Sequence, residues 1–132
     1  MTGVPSWGEA LEEKRRLFND CEAARLLAME CTEVWDGGAR VVMDCAGKLN
    51  AMNVCHGGAI FALADQAFGI AANQRDMQVA VSVHIEYVAP AIGRLEAVAA
   101  RRAETEHSSL YQVRIFEGDR LIAEFEGVAW KK

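Results

Sequence analysis

The chain has 132 residues, 52% of them hydrophobic, and a formal net charge of −5 with only 14 Lys and Arg. Its length fits a single domain over residues 1–132 with one sizeable core, and its acidic balance argues against a nucleic-acid-binding surface. No run reaches the roughly 20 apolar residues that span a bilayer, and the start lacks a basic region followed by an apolar one, so we expect a cytoplasmic protein that does not enter a membrane.

The first predicted element is an amphipathic helix over Trp7–Phe18, where charged and apolar residues mix at helical spacing. Pro5 and Ser6 are its start signals. With this helix, residues 1–20 are expected to form a helical lead-in to the rest of the domain. A further turn or two of helix is predicted over Ala23–Met29.

A β-hairpin is predicted next, with strands over Cys31–Trp35 and Ala39–Cys45. The connecting Asp36-Gly37-Gly38 is typical of a tight turn, because both glycines can adopt the positive φ angles that such a turn needs. A loop over Gly47–Met52 then delivers Asn50 just ahead of the following segment.

The chain is organised around the stretch from Asn50 to Asn73. After Cys55-His56-Gly57-Gly58, every residue from Ala59 to Ala72 is apolar or glycine except Asp65 and Gln66. This pattern predicts one buried helix, covered on nearly all sides, because no polar face is left for water. A buried carboxylate is costly unless it is paired, neutralised or facing a cleft, so Asp65 is the first candidate functional residue.

Four strands are predicted after this helix, without any helix between them. The spans are Val79–Tyr87, Arg94–Arg102, Ser109–Glu117 and Arg120–Trp130, and Gly118-Asp119 joins the last two as a hairpin. Without crossover helices the pairing has to be antiparallel. We therefore expect an α+β domain in which an antiparallel, six-stranded curved sheet wraps round one long central helix.

Three segments of the chain resemble the hotdog-fold acyl-CoA thioesterases of the phenylacetyl-CoA thioesterase (PaaI) type: Leu49-Asn50, Cys55-His56-Gly57-Gly58 and Leu63-Ala64-Asp65. The likeness extends from about Phe18 to the C-terminus. It implies a hotdog fold and hydrolysis of an aryl- or medium-chain acyl-CoA to the free acid and CoA. It further implies no metal, no cofactor apart from the coenzyme A of the substrate, and at least a homodimer, often a homotetramer.

The resemblance also implies that Asn50, His56, Gly57 and Asp65 build the catalytic site, with Gly58 binding substrate. The backbone N–H of Gly57 near a helix N-terminus suits the oxyanion of a thioester under attack. Asp65 acts either as a general base for water or as a nucleophile that forms an acyl-enzyme anhydride. Asn50 orients the water or the carbonyl, and His56 supports the oxyanion loop or donates to the thioester oxygen.

The spacing of two of these residues predicts an oligomer. Asp65 follows Gly57 by eight residues, roughly 12 Å along a helix that rises about 1.5 Å per residue. One helix cannot place both residues on the same carbonyl. We therefore expect Gly57, His56 and Asn50 of one subunit to face Asp65 of another, with a dimer as the minimal active unit.

Other reactive side chains favour structural interpretations. The cysteines contain no Cys-x-x-Cys and are interpreted as reduced thiols, not as disulfide or zinc sites. Cys55 beside His56 is discounted as a nucleophile, and His84 with Glu86 is interpreted as a solvated or interface-facing strand pair. Coenzyme A phosphates need cations, for which the unassigned candidates are Arg75, Arg94, Arg101 and Arg102.

Two other functions stay open at this point. A hotdog enoyl-CoA hydratase or dehydratase would need a histidine and a carboxylate paired for proton transfer at the α-carbon. A non-catalytic acyl-CoA-binding protein would hold the ligand in the same cleft without turnover. The nature of the acyl group is not encoded in the motifs.

Overall fold

The computed structural model of the protein describes residues 3–4 and 6–132. Met1, Thr2 and Pro5 lie outside the described residues, so Pro5 as a helix start signal stays a prediction. The elements in chain order are α1 (Trp7–Asn19), α2 (Glu22–Leu26), β1 (Glu30–Trp35), β2 (Gly38–Asp44), α3 (Gly57–Ala72), β3 (Gln78–Tyr87), β4 (Arg94–Glu104), β5 (Ser108–Glu117) and β6 (Arg120–Lys131). Each predicted strand is found, with its ends displaced by at most two residues.

All six strands form one antiparallel sheet in the order β1-β2-β4-β5-β6-β3. Helix α3 packs on one face of this sheet. The inward side chains of the central strands, among them Val41, Leu95, Val113 and Phe125, form the core with the buried side of α3. The predicted α+β architecture, a six-stranded antiparallel sheet around one long helix, is confirmed.

The start of α1 is held by a capping box. The Ser6 Oγ accepts a hydrogen bond from the Glu9 N–H (3.1 Å), while the Glu9 carboxylate accepts one from the Ser6 N–H (3.4 Å). At the other end of α1, the amide of Asn19 bonds both the N–H and the carbonyl of Cys31. Ser6 is thus confirmed as the start signal, and α1 is fixed to β1.

The β1–β2 turn differs from its prediction in the role of one glycine. Only Gly37 has a positive φ, of 77°. Gly38 already belongs to β2, and a Cβ there would overlap the indole ring of Trp35, so this position needs a residue without a side chain. The side chain of the buried Gln74 also stabilises the turn (the Gln74 clasp). Its Oε1 accepts a hydrogen bond from the Gly37 N–H (2.8 Å), and its Nε2 donates to the carbonyls of Trp35 and Gly38.

Within one chain, helix α3 is not covered on nearly all sides. Nine of its residues are buried, but Gly58 and Asp65 are exposed. The sheet covers one side of the helix, and α1 reaches only part of another, where the Gln66 side chain donates to the carbonyl of Phe18 (3.1 Å). The apolar helix therefore presents a bare face that carries Asp65. Within the described residues, no helix has the length and apolarity to cross a bilayer.

Strand β3 lies at one edge of the sheet and pairs only with β6. A β-bulge at Val81 shifts its register between Ala80 and Ser82. Most of the strand is uncovered on both faces, with Val81 58% and Tyr87 53% exposed. An edge strand that shows valines to solvent is a surface suited to pairing with another strand.

Candidate active site

The loop between β2 and α3 is closed as a narrow hairpin. The His56 N–H donates to the carbonyl of Lys48 (2.8 Å), and the Asn50 N–H donates to the carbonyl of Val54 (2.8 Å). Leu49 and Cys55 form a β-bridge between these two bonds. The loop thereby brings Asn50 on one arm close to His56 and the start of α3 on the other.

Asn50 shapes this loop with its own side chain. The Asn50 Oδ1 accepts hydrogen bonds from the backbone N–H groups of Met52 (2.8 Å) and Val54 (3.3 Å). These two donors fix the orientation of the amide, so the oxygen faces the loop and only the Nδ2 hydrogens are left for a ligand. Asn50 therefore has the turn-forming role common for loop asparagines, and any contact with substrate or water has to be as a donor.

His56 is the N-cap residue of α3. Its Nδ1 accepts a hydrogen bond from the Gly58 N–H at 2.9 Å. A neutral imidazole whose Nδ1 accepts carries its proton on Nε2. The ring is exposed, so the same side chain starts the helix and presents an Nε2–H donor to the surroundings.

The two glycines at the start of α3 have different roles. The Gly58 N–H donates to His56 and is not available to a substrate. Gly58 can therefore serve the predicted substrate binding only through its lack of a side chain. The Gly57 N–H has no acceptor among the described residues, as expected for the first residue of a helix. A Cβ on Gly57 would make only ordinary contact, at 3.4 Å, with the ring of Tyr87. Packing therefore does not require glycine here, and the absence of a side chain leaves the backbone open to the approach of a ligand.

Tyr87 is the site residue that sequence reasoning missed. Its hydroxyl donates to the carbonyl oxygen of Gly57 at 2.9 Å, although the sequence identified it only as the last residue of a strand. Nothing in the local pattern signals a contact 30 residues away. Burial raises the pKa of the Tyr87 phenol above its ordinary value of 10, so the hydroxyl stays protonated and able to donate.

An open pocket of about 290 Å³ lies beside the start of α3. Its walls are mostly apolar, and they combine the end of β3 and the following segment with the first turn of the helix. The lining residues are Val54, Cys55, Gly57, Ile60, Tyr87, Val88, Ala89 and Pro90. An apolar acyl group can be held there next to the Gly57 N–H.

Asp65 lies two turns further along α3, away from this pocket. It lines a separate pocket of about 160 Å³ with Phe68, Ala80 and Ala129. Its side chain is exposed and faces this pocket, which is one of the three situations that the sequence allowed for it, and it makes no hydrogen bond or ion pair with any described residue. The surrounding apolar atoms nevertheless raise the pKa of the Asp65 carboxyl above its ordinary value through desolvation. One chain thus brings Asn50, His56 and Gly57 together but leaves Asp65 apart.

The remaining reactive side chains have structural surroundings. Cys55 is buried in the core beside Cys45, and burial, together with the neighbouring Cys55, raises the pKa of the Cys45 thiol to about 12. His84 and Glu86 lie 3.7 Å apart with both side chains more than 70% exposed. No group of three metal-binding side chains occurs in the described part of the chain.

Three of the four candidate phosphate-binding arginines are engaged elsewhere. Arg75 and Arg101 lie 3.4 and 3.8 Å from the carboxylate of Asp36, and Arg102 donates to a neighbouring glutamine. Within the described residues, Arg94 makes no hydrogen bond or ion pair with its side chain. No arginine is thereby assigned to coenzyme A.

Comparison with known proteins gives consistent matches. The family model described as "Thioesterase superfamily" matches residues 52–124. "Acyl-coenzyme A thioesterase PaaI" of Escherichia coli K12 is 27% identical over 124 residues, which are 90% of this chain and 89% of that protein. The solved structure of the E. coli PaaI protein from the phenylacetic acid degradation operon superposes with a TM-score of 0.89 at 26% identity, covering 96% of each chain.

A second curated relative matches over a shorter stretch. "Putative esterase" of Archaeoglobus fulgidus is 39% identical over 77 residues, which are 57% of this chain. The match covers 50% of the Archaeoglobus protein, so the chain spans about half the length of this relative.

Proposed function

Because the chain belongs to the Thioesterase superfamily, we propose that it hydrolyses aryl- or medium-chain acyl-CoA thioesters to the free acid and CoA. Family membership and the PaaI-like structure confirm the hotdog fold, the resemblance to PaaI-type proteins and the thioesterase class expected from the sequence. The observation that carries the proposed chemistry is the Gly57 N–H, which has no acceptor among the described residues and opens on an apolar pocket.

The first half of the proposed site stabilises charge. When the thioester carbonyl is attacked, negative charge develops on its oxygen, and a fixed donor at a helix N-terminus stabilises that charge. The Gly57 N–H is such a donor, and the exposed ring of His56 at the N-cap offers its Nε2–H as a second one. Asn50 contributes its Nδ2 hydrogens to the same region. Coenzyme A leaves as a thiolate, so no dedicated general acid is needed.

The second half of the site comes from another copy of the chain. Gly57 lies by Tyr87 at the C-terminal end of β3, whereas Asp65 shares a pocket with Ala80 near the N-terminal end. If two β3 edges pair antiparallel about a two-fold axis, the Asp65 end of one chain faces the Gly57 end of the other. The bare face of α3 and the exposed valines of β3 are the surfaces that this pairing would cover.

In this dimer, Asp65 reaches a thioester held by the partner. An ionised Asp65 either activates a water molecule or attacks the carbonyl carbon itself, and both routes remain open. A carboxylate whose pKa is raised is a stronger base than an ordinary carboxylate, which suits the activation of water. The proposal also includes a homotetramer of two such dimers, on the family resemblance, and the cytoplasmic location expected from the sequence.

A thiol-release assay over a panel of aryl- and acyl-CoA substrates tests the proposal. The wild-type protein is expected to release thiol, and Asp65→Asn is expected to lose activity on the order of 100-fold. Asp119→Asn makes the same chemical change in the exposed β5–β6 turn and serves as the matched control. Unchanged hydrolysis by Asp65→Asn on every substrate would remove Asp65 from the mechanism.

The same assay separates the alternative functions. A change in enoyl absorbance without thiol release would identify a hydratase or dehydratase. Tight acyl-CoA binding with neither reaction would identify a binding protein. Either result would contradict the proposed hydrolysis.

Sedimentation of edge-strand variants tests the dimer. Val81→Lys places a charge on the exposed edge strand β3 and is expected to give an inactive monomer. Thr32→Lys places the same charge on β1 at the opposite edge and is expected to leave both assembly and activity intact. A fully active monomer would contradict a site shared between two chains.

A further inference from the structure

One peptide group at the start of α3 is held at both of its ends. The Tyr87 hydroxyl donates to the carbonyl oxygen of Gly57 at 2.9 Å. That carbonyl belongs to the peptide whose N–H, on Gly58, donates to the Nδ1 of His56 at 2.9 Å. Three side-chain and backbone groups are therefore linked in one continuous chain of hydrogen bonds, from Tyr87 through the Gly57–Gly58 peptide to His56.

We propose that Tyr87 is a positioning residue for thioester hydrolysis, which fixes the Gly57–Gly58 peptide and through it the imidazole of His56. This inference rests on the proposed function and adds to it a residue of β3 that touches none of the reacting atoms. Its effect is to hold the Gly57 N–H and the His56 Nε2–H in one relative orientation.

The need for such a constraint follows from the two glycines. Consecutive glycines at a helix start have more accessible backbone conformations than any other pair of residues, and the first turn of a helix lacks half of its internal hydrogen bonds. A displacement of an oxyanion donor by about 1 Å is enough to cost a large part of its effect. The Tyr87 hydroxyl, carried on a regular strand, supplies a fixed point that the helix start itself does not have.

The linkage also acts on the electronic state of His56. Hydrogen bonds in a chain polarise one another, so a donor on the Gly57 carbonyl strengthens the Gly58 N–H as a donor to Nδ1. This favours the tautomer with its proton on Nε2, the atom available to the substrate. The raised pKa of Tyr87 keeps its hydroxyl protonated at the pH of ordinary assays.

Tyr87→Phe removes the hydroxyl and leaves the ring that lines the pocket. We expect kcat on the best acyl-CoA substrate to fall about 3- to 10-fold, the loss that one neutral hydrogen bond implies, with KM nearly unchanged. Tyr111→Phe removes the hydroxyl of the only other tyrosine, which is buried on β5 against Phe68 and does not line the pocket beside Gly57, and is expected to leave kcat unchanged. Sedimentation of both variants has to match the wild type.

A spectroscopic readout tests the hydrogen-bond chain independently of turnover. In protein labelled with ¹⁵N-glycine, Tyr87→Phe is expected to move the Gly58 amide resonance and to speed its hydrogen exchange. Tyr111→Phe is expected to leave both unchanged. The His56 ring nitrogens, observed by ¹⁵N-histidine labelling, should show less proton occupancy at Nε2 in Tyr87→Phe than in the wild type.

The possible failures are distinguishable. A wild-type enzyme that hydrolyses acyl-CoA, with Tyr87→Phe equal to it in kcat and in the Gly58 resonance, overturns the positioning role and leaves the proposed function intact. A rise in KM with unchanged kcat also overturns it, because Tyr87 would then act on substrate binding. If the wild-type protein hydrolyses no acyl-CoA, the proposed function fails, and an unmoved Gly58 resonance in Tyr87→Phe would overturn the hydrogen-bond chain as well.

Discussion

The Nδ1 of His56 accepts a hydrogen bond from the backbone N–H of Gly58 at 2.9 Å. This one contact gives His56 two separable roles, because it caps the helix with one ring nitrogen and leaves the other protonated and exposed. From the sequence, support of the oxyanion loop and donation to the thioester oxygen were alternatives for His56. The geometry allows both at once, since they use different atoms.

Two substitutions of His56 are predicted to separate these roles. His56→Ala removes the cap and the Nε2 donor, so we expect a loss of about 1 kcal/mol in the free energy of unfolding together with a loss of activity. His56→Asn keeps a side chain that caps helices well but cannot reach where Nε2–H lies. It should unfold like the wild type in urea and still lose activity on the order of 100-fold. Wild-type turnover by His56→Asn would show that Nε2–H is not used.

Two substitutions of Asn50, by Asp and by Ala, separate its role in the loop from its role as a donor. Asn50→Asp keeps an oxygen for the N–H groups of Met52 and Val54 but removes the Nδ2 hydrogens, so we expect the thermal midpoint to be retained and hydrolysis to fall. Asn50→Ala removes both functions and should also lower the midpoint, since two loop N–H groups lose their acceptor. Thermal unfolding and thiol release are measured on the same samples. Full activity of Asn50→Asp would reduce Asn50 to a turn residue.

The raised pKa of Asp65 predicts a pH dependence of stability with a definite sign. Because the folded protein binds the Asp65 proton more tightly than the unfolded chain does, its contribution to the free energy of unfolding falls as pH rises from the ordinary 3.8 through the raised value. Asp65→Asn removes this loss. It should therefore be more stable than the wild type in urea at pH 7 and equal to it at pH 3, and a variant less stable at pH 7 would contradict the desolvated carboxylate.

Activity should follow the same titration in the opposite direction. Both roles of Asp65 need the ionised form, so kcat/KM on an acyl-CoA is expected to fall as pH drops through the raised pKa. The midpoint of this acid limb should lie above 3.8. A kcat/KM that stays flat down to that value would exclude Asp65 as base or nucleophile.

The strands could be predicted from the sequence because their signals are local. Alternating apolar residues and the turn residues at Gly37 and Gly118 mark each strand and hairpin within a window of about ten residues. The Gln74 clasp and the bulge at Val81 could not be predicted in this way. The hydrogen bond between Gln74 and Gly37 joins groups 37 residues apart. The bulge depends on how β3 pairs with β6, and the alternation of residues along β3 carries no information about that pairing.

The site was predictable in its residue types but not in its contacts. The composition of α3 indicated that Asp65 is unusual, and in the structure Asp65 is an exposed carboxylate that lines a pocket. An apolar helix face signals that something covers it, and the pattern does not say whether that cover is the same chain. Tyr87 was missed for a related reason, because its partner Gly57 is distant in sequence.

Mixing two inactive variants shows whether Gly57 of one chain and Asp65 of another form one site. Asp65→Asn removes the carboxylate, and Gly57→Pro removes the backbone donor at a first helical position, where proline is tolerated. After unfolding and joint refolding, hybrid dimers contain one site with both changes and one with neither. We predict that the mixture regains about a quarter of the wild-type thiol-release activity, since about half of the randomly formed dimers are hybrids with one intact site. A mixture that stays as inactive as each variant refolded alone would contradict the shared site.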